Sequence, residues 1–174
     1  MMPAISGLLA EDRPFRGVLY AGVMLTAEGP KVLEYNARFG DPETQVVAPR
    51  LDGDWLELLE ACASGSLGRI APRWRRDAAV CVVMASRGYP GPCVTGVPIE
   101  GIEEANARPG ITVFHAGTTR VADRLTTSGG RVLGVTGLGA DLAQARARAY
   151  DAVSRIRFEG AHYRTDIAKD ALGH

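Results

Sequence analysis

The run Glu34-Tyr35-Asn36-Ala37-Arg38-Phe39-Gly40-Asp41-Pro42-Glu43-Thr44-Gln45 concentrates carboxylates, carboxamides, an arginine and a glycine turn at the end of a strand-like segment. A solvated loop needs no such inventory. Glu34 and Asn36 are two apart, so on a strand they project from one face. A carboxylate and a carboxamide side by side offer hard oxygen ligands, which suit Mg²⁺ shared with phosphate oxygens better than a caged structural ion. Arg38 takes the next alternate position, where a guanidinium neutralises phosphate oxygens through bidentate hydrogen bonds. A half-exposed edge strand with solvated polar residues fits the same spacing.

The elements around this run are readable. Residues 18–25 and 31–35 are two largely apolar strands flanking Ala27-Glu28-Gly29-Pro30, a hairpin with a short Gly-Pro loop. Residues 1–9 read as a short helix with Pro3 in its first turn. Trp55, Leu58, Leu59 and Cys62 fall at i, i+3, i+4 and i+7, which predicts an amphipathic helix with Asp52 or Asp54 near its N-cap and Gly65 past its end. Residues 78–85 form a continuous apolar run fit for the centre of a sheet covered on both faces. Residues 111–116 and 131–136 supply further strands, and 141–153 an alanine-rich helix of high intrinsic propensity. The pattern predicts an α+β chain in two units, residues 1–72 and 73–174, with antiparallel strands plus helix in the first and a small α+β sandwich in the second.

Within the second unit Gly129-Gly130-Arg131 has two readings. It either brings backbone N–H groups and a guanidinium to an anion such as a ribose 5-phosphate, or it is a plain hairpin turn with a surface arginine. His115, at an apolar strand end, is either a general base or phosphate donor or a satisfied loop histidine. Neither His162 nor His174 joins it at a metal-ligand spacing.

Composition narrows the class. The 174 residues are 46% hydrophobic and carry 20 acidic against 20 basic side chains, which suits small folded units and gives no general attraction to nucleic acid. The dense basic cluster Arg73-Trp74-Arg75-Arg76 reads as a solvated linker or helix end. Cys62, Cys81 and Cys93 lack CxxC spacing and read as free thiols of a reducing compartment. No apolar run approaches the roughly 18 to 20 residues of a membrane span, nor is there a secretory leader pattern, so the expected location is cytoplasmic.

Arg38-Phe39-Gly40-Asp41-Pro42-Glu43-Thr44-Gln45 resembles the signature of the phosphoribosylamine–glycine ligase family, also called glycinamide ribonucleotide synthetase, within the ATP-grasp superfamily. The resemblance extends through Gly17-Val18-Leu19-Tyr20-Ala21-Gly22, Gly88-Tyr89-Pro90-Gly91, Phe114-His115-Ala116-Gly117-Thr118, Gly129-Gly130-Arg131-Val132-Leu133 and Tyr163-Arg164-Thr165-Asp166-Ile167, in the family's order and across nearly the whole chain. It covers only the C-terminal portion of that family's members, which are generally more than twice this length. The phosphoribosylamine-holding N-terminal domain and the ATP-grasp lid have no counterpart here.

The resemblance implies a mechanism. Glycine's carboxylate attacks the γ-phosphate of ATP to give glycyl phosphate and ADP, and the amine of phosphoribosylamine then displaces phosphate to make glycinamide ribonucleotide. Such chemistry rests on positioning and charge stabilisation rather than on a protein nucleophile. In this reading Glu34 and Asn36 hold Mg²⁺ (or Mn²⁺) against the ATP phosphates, and Arg38 stabilises the transferring phosphoryl group. Asp41 meets glycine's ammonium or a ribose hydroxyl, Glu43 and Thr44 hold the loop, and Gly129, Gly130 and Arg131 face the substrate. One departure stands out: many ATP-grasp enzymes carry another acidic ligand on the preceding strand, whereas residues 17–25 contain no Asp or Glu. The expected product is therefore a fragment or subunit that is inactive alone and works with an N-terminal-half partner chain; the rival expectation is a non-catalytic binding or structural module derived from the enzyme. Strands that lose their sheet neighbours leave an edge and an apolar face, so self-association through the hairpin is also expected.

Overall fold

The computed structural model describes residues 1–173; His174 lies outside the described residues. The architecture is α+β, with helices and antiparallel sheets in two compact units. One unit comprises Met1–Thr44 and Leu51–Trp74, the other Gln45–Arg50 and the chain from Arg75 onward.

The first unit opens with helix α1 (Met2–Ala10), which has Pro3 in its first turn. Strands β1 (Tyr20–Thr26) and β2 (Gly29–Asn36) pair antiparallel, with Tyr20 opposite Asn36, Gly22 opposite Glu34, and an irregularity between Gly22 and Val23. The turn is tighter than the sequence suggests, because Gly29 and Pro30 already belong to β2. A short helix α2 (Thr44–Val47) begins at the last residue before the chain passes to the second unit. Helix α3 (Trp55–Ser64) starts where expected: Asp54 accepts a hydrogen bond from the Leu56 N–H at 2.7 Å, and Gly65 ends the helix in the left-handed conformation, φ 73°.

What this unit lacks is an interior. Among its described residues only Gly40, Leu51 and Ala61 are buried. Val23, Met24, Leu25, Val32, Leu33 and Tyr35 of the hairpin are all exposed, Leu25 at 83%. On α3 the expected stripe does not reach a core either, since Leu59 is exposed and the one buried side chain is Ala61.

The second unit holds the core. Strands β3 (Ala78–Ala85), β4 (Ile111–His115) and β7 (Arg131–Gly139) form an antiparallel sheet in the order β3-β7-β4. The apolar run in β3 is thus an edge strand, and β7 is the centre; β3 is nonetheless largely buried because elements pack on both faces. Between these strands lie helix α4 (Ile102–Asn106) and a separate hairpin, β5 (Thr118–Val121) with β6 (Arg124–Thr127). The hairpin escapes sequence reading because its two-residue turn, Ala122-Asp123, carries no glycine or asparagine although Ala122 has φ 52°.

Helix α5 (Leu142–Val153) covers one face of the sheet. Asp141 caps it by accepting from the Gln144 N–H at 2.7 Å. Its buried residues Ala145, Ala149, Ala152 and Val153 recur at helical spacing and pack on Val80, Val82, Met84 and Val135. The approach is at backbone distance: a Cβ on Gly137 would lie 2.5 Å from the Ala145 carbonyl oxygen and 2.7 Å from the Ala149 nitrogen, and one on Gly139 would lie 2.5 Å from the Ala145 nitrogen. On the opposite face Thr136 Oγ1 donates to the Gln45 carbonyl at 2.9 Å, which seats residues 45–50 against the sheet. The block 163–167 is fastened to α5 by Arg146, whose guanidinium donates to the Ile167 and Thr165 carbonyls at 2.8 and 2.7 Å, and by the Tyr150 hydroxyl, which donates to the Arg164 carbonyl at 2.7 Å.

Gly137→Ala is expected to destabilise the chain by about 2 to 3 kcal/mol, because the new methyl meets backbone that cannot yield. Gly53→Ala, whose methyl meets open space, is expected to stay within about 0.5 kcal/mol. Urea denaturation followed by circular dichroism checks both, and equal midpoints would sink the close-packing account.

Candidate functional site

The chemistry-bearing residues of the first unit stand at the end of β2. Asn36 Nδ2 donates to Glu34 Oε1 at 2.9 Å, so the two side chains share a face as their spacing requires. Gly22, opposite Glu34, makes room for it; a Cβ there would sit 3.1 Å from Glu34 Cγ. The pair is solvent-accessible, and its donor chemistry fits a Mg²⁺ ion that takes most of its ligands from water and phosphate. A half-turn of the Asn36 amide presents its oxygen where Nδ2 now lies. Among the described residues no three His, Cys, Asp or Glu side chains gather as metal ligands, so the chain offers such an ion two side chains and not a cage.

Arg38 departs from the expected alternation. β2 ends at Asn36, and the Arg38 guanidinium turns onto its own loop, where it donates to the Phe39 carbonyl at 2.8 Å. It remains exposed.

The following turn is locally overdetermined. The Thr44 hydroxyl and backbone N–H both donate to the Gly40 carbonyl, at 2.5 and 3.2 Å. Glu43 folds back beneath Gly40, where any Cβ would collide with its carboxylate. Tyr20, from β1, donates its hydroxyl to Glu43 Oε1 at 3.3 Å. Phe39 packs edge-on against Trp55 at a centroid distance of 5.7 Å, tying the turn to α3. Asp41 is left exposed at the tip of this frame. Thr44 and Glu43 therefore fasten the loop. Tyr20 was not foreseen from sequence; the only available signal was its position opposite Asn36 once the hairpin is aligned.

A second group of residues assembles within the second unit. The hairpin-turn reading of Gly129-Gly130 fails, because β6 pairs with β5 whereas β7 pairs with β3 and β4. The glycines instead form a junction on which distant segments converge. Gly117 N–H donates to the Arg131 carbonyl at 2.8 Å, and Ser128 N–H donates to the Gly117 carbonyl at 2.7 Å. Ser86 donates its hydroxyl to the Gly129 carbonyl and its N–H to the Gly130 carbonyl, both at 2.8 Å. A Cβ on Gly130 would lie 2.6 Å from the Tyr89 ring and 3.2 Å from Cys93 Sγ. The blocks Gly88-Tyr89-Pro90-Gly91, Gly117 and Gly129-Gly130-Arg131 are thus one site in space. His115 sits nearby in sequence but exposed, its Nδ1 3.0 Å from Thr118 Oγ1.

Tyr20 carries the clearest electrostatic signature. Repulsion from the Glu43 carboxylate, then burial and the hydrogen bond to that carboxylate, hold its phenol above the ordinary tyrosine range. A phenolate beside a carboxylate would put two negative charges together, so ionisation is delayed.

Comparisons with known proteins cover both groups of residues. The family model described as "Phosphoribosylglycinamide synthetase, C domain" matches residues 79–170, and that described as "Phosphoribosylglycinamide synthetase, ATP-grasp (A) domain" matches residues 1–44. The phosphoribosylamine–glycine ligase of Caulobacter vibrioides is 52% identical over 99% of this chain, which spans 40% of that relative. The crystal structure of phosphoribosylamine–glycine ligase from Thermotoga maritima superposes with a TM-score of 0.81 at 36% identity, over 94% of this chain and 40% of that one. N5-carboxyaminoimidazole ribonucleotide synthetase from the same organism, at 19% identity and a TM-score of 0.58 over 89% of this chain and 40% of that one, shares the fold alone.

Replacing Glu43 with Gln is expected to bring the Tyr20 phenol down toward its ordinary range. The ultraviolet phenolate titration of the chain minus that of Tyr20→Phe isolates the transition. A Tyr20 titration unmoved by E43Q would break the pairing.

Proposed function

Because the chain belongs to the phosphoribosylglycinamide synthetase family and spans about 40% of the length of the curated relatives it matches, we propose that it supplies the C-terminal share of a phosphoribosylamine–glycine ligase. The observation that carries this reading is the Glu34–Asn36 pair, held 2.9 Å apart on one exposed face beside the Gly40–Thr44 turn. Residues 1–72 contribute the metal and phosphate wall of an ATP-grasp site, and residues 73–174 the substrate-side domain. The complete enzyme joins glycine to phosphoribosylamine at the expense of ATP, in de novo purine synthesis, and the expected setting is the cytoplasm. No described helix is long and apolar enough to cross a membrane.

Each residue has a task that its chemistry supports. Glu34 and Asn36 hold Mg²⁺, or Mn²⁺ in its place. When bound, the ion neutralises the β- and γ-phosphates of ATP. Arg38, which donates to the Phe39 carbonyl, exchanges that neutral acceptor for phosphoryl oxygens, a stronger charge-assisted bond. Asp41 is exposed at the turn's tip and takes glycine's ammonium or a ribose hydroxyl, while Glu43 and Thr44 keep the turn in shape. Gly129, Gly130 and Arg131 receive the ribose 5-phosphate. Attack by glycine's carboxylate on the γ-phosphate and capture of the resulting glycyl phosphate by the amine need positioning and charge; no side chain of the chain has to become covalently attached.

The exposed hairpin supports a requirement for a partner. A 68-residue unit with three buried residues is unsupported by itself, and the apolar side chains of β1 and β2 suit a complementary strand-bearing chain. In its absence the chain is expected to self-associate through the same hairpin. Sedimentation of the purified chain should give a dimer or larger species, and a monomeric mass in dilute solution counts against that surface being adhesive.

The purified chain with ATP, glycine and phosphoribosylamine is expected to form no glycinamide ribonucleotide, and co-expression with a chain matching the remainder of the family is expected to restore turnover. In that complex Glu34→Gln should lower kcat by about 100-fold or more, the scale of one lost electrostatic contact to the transferring group. Turnover by the chain alone would overturn the need for a partner; full activity of the E34Q complex would remove Glu34 from the metal site.

A further inference from the structure

The Gly129-Gly130 junction has an organiser that the motif reading passed over. Ser86 is 2% exposed, at the end of β3, and binds two successive carbonyls: its hydroxyl takes Gly129 and its N–H takes Gly130, each at 2.8 Å. The peptide bond between these glycines is trans, since the cis bonds are at Asp41–Pro42 and Tyr89–Pro90. In a planar trans peptide the N–H of one residue points opposite to the carbonyl of the residue before it. With the Gly129 carbonyl turned onto the Ser86 hydroxyl, the Gly130 N–H faces away from Ser86. Among the described residues it donates to no acceptor, although Gly130 is only half-exposed.

Neighbouring contacts stop the junction from relaxing. A Cβ on Gly117 would lie 2.8 Å from Gly129 Cα and 2.6 Å from the Arg131 carbonyl oxygen, so these backbones already touch. The Tyr89 ring closes the Gly130 side, and Tyr89 is itself placed by its N–H, which donates to the Ser86 carbonyl at 3.2 Å. Ser86 therefore controls the junction through three hydrogen bonds, one of them from a side chain. Alanine would take the donor from the partly buried Gly129 carbonyl and free that peptide to rotate.

We propose that Ser86 is a positioning residue that aims the Gly130 N–H at a phosphate monoester, converting a flexible diglycine into a fixed anion donor. The inference rests on the reading that this loop receives the ribose 5-phosphate. It adds the residue that makes the loop competent and explains why a hydroxyl, rather than another apolar side chain, ends the β3 run. Ser86 itself does not touch the ligand.

The test follows the Gly130 amide by nitrogen-15 NMR while the purified 174-residue chain is titrated with ribose 5-phosphate, with ribose as the control. In the natural chain the Gly130 resonance should move saturably with the phosphate and not with ribose. Ser86→Ala should keep a dispersed spectrum but bind about tenfold more weakly, the scale of one hydrogen bond, and Ser86→Thr, which keeps the hydroxyl, should restore most of the affinity. Should S86A fail to fold, Ser86→Cys against S86T carries the same comparison, because a thiol is a weak donor. Equal affinity in the hydroxyl-bearing and hydroxyl-lacking chains overturns the role of Ser86 and leaves the phosphate reading intact. Absence of any Gly130 response in the natural chain overturns both.

Discussion

The second unit depends on the contact between β7 and α5. A strand and a helix normally meet through side chains, but here Gly137 and Gly139 face Ala145 and Ala149, and the backbones lie so close that a Cβ on either glycine would overlap the helix. Small residues on both sides make this contact dense and leave it little tolerance. Its consequence reaches the Gly129-Gly130 loop. Because β7 is central, pinned by α5 on one face and by residues 45–50 through Thr136 on the other, its first residues emerge from the most constrained position in the unit. Gly129, Gly130 and Arg131 are the lead-in to that strand. A diglycine elsewhere would be a flexible joint; here it is held from behind by the sheet and from the side by Ser86.

The first unit obeys the opposite rule. Its hairpin exposes apolar side chains on both strands and its helix α3 buries only Ala61. At about 25 cal/mol per Å² of apolar surface removed from water, a unit that removes so little gains little to offset the entropy of ordering its backbone. Yet its local geometry is well specified: Asp54 caps α3, Gly65 ends it, and the strand register is regular apart from one irregularity. Such local order with missing burial characterises a part cut from a larger core. It agrees with a family match in which the ATP-grasp domain model covers only residues 1–44 and the chain spans two-fifths of its relatives.

Much of this was legible in the sequence, for reasons that differ by element. The cap of α3 was visible because capping is local: a side-chain oxygen two or three residues before the N–H that needs an acceptor is all it takes. The Glu34–Asn36 pairing was visible because strand alternation is a fixed period. The same rule reaches only as far as Asn36, where the strand stops, so it does not extend to Arg38. The centre of the sheet was misassigned to residues 78–85 because a hydrophobic run reports burial, not strand order, and β3 is buried at an edge. The passage of residues 45–50 into the second unit rests on long-range hydrogen bonds, from Thr136 to Gln45 and between Arg50 and Arg75, and on the packing around them, which no local pattern encodes. The hairpin of β5 and β6 hid behind a turn with unfavourable residues.

The two regions also differ in how they are preorganised. The Gly40–Thr44 turn is closed by bonds within five residues, and Tyr20 and Trp55 brace it from flanking elements of the same unit. It needs no core to keep its shape. The Ser86–Gly130 junction draws on segments more than forty residues apart and keeps its shape because the sheet beneath it is packed. Neither region therefore depends on the uncovered hairpin faces for its internal geometry. The Glu34–Asn36 pair and the glycine junction are each formed by contacts inside the unit that carries them.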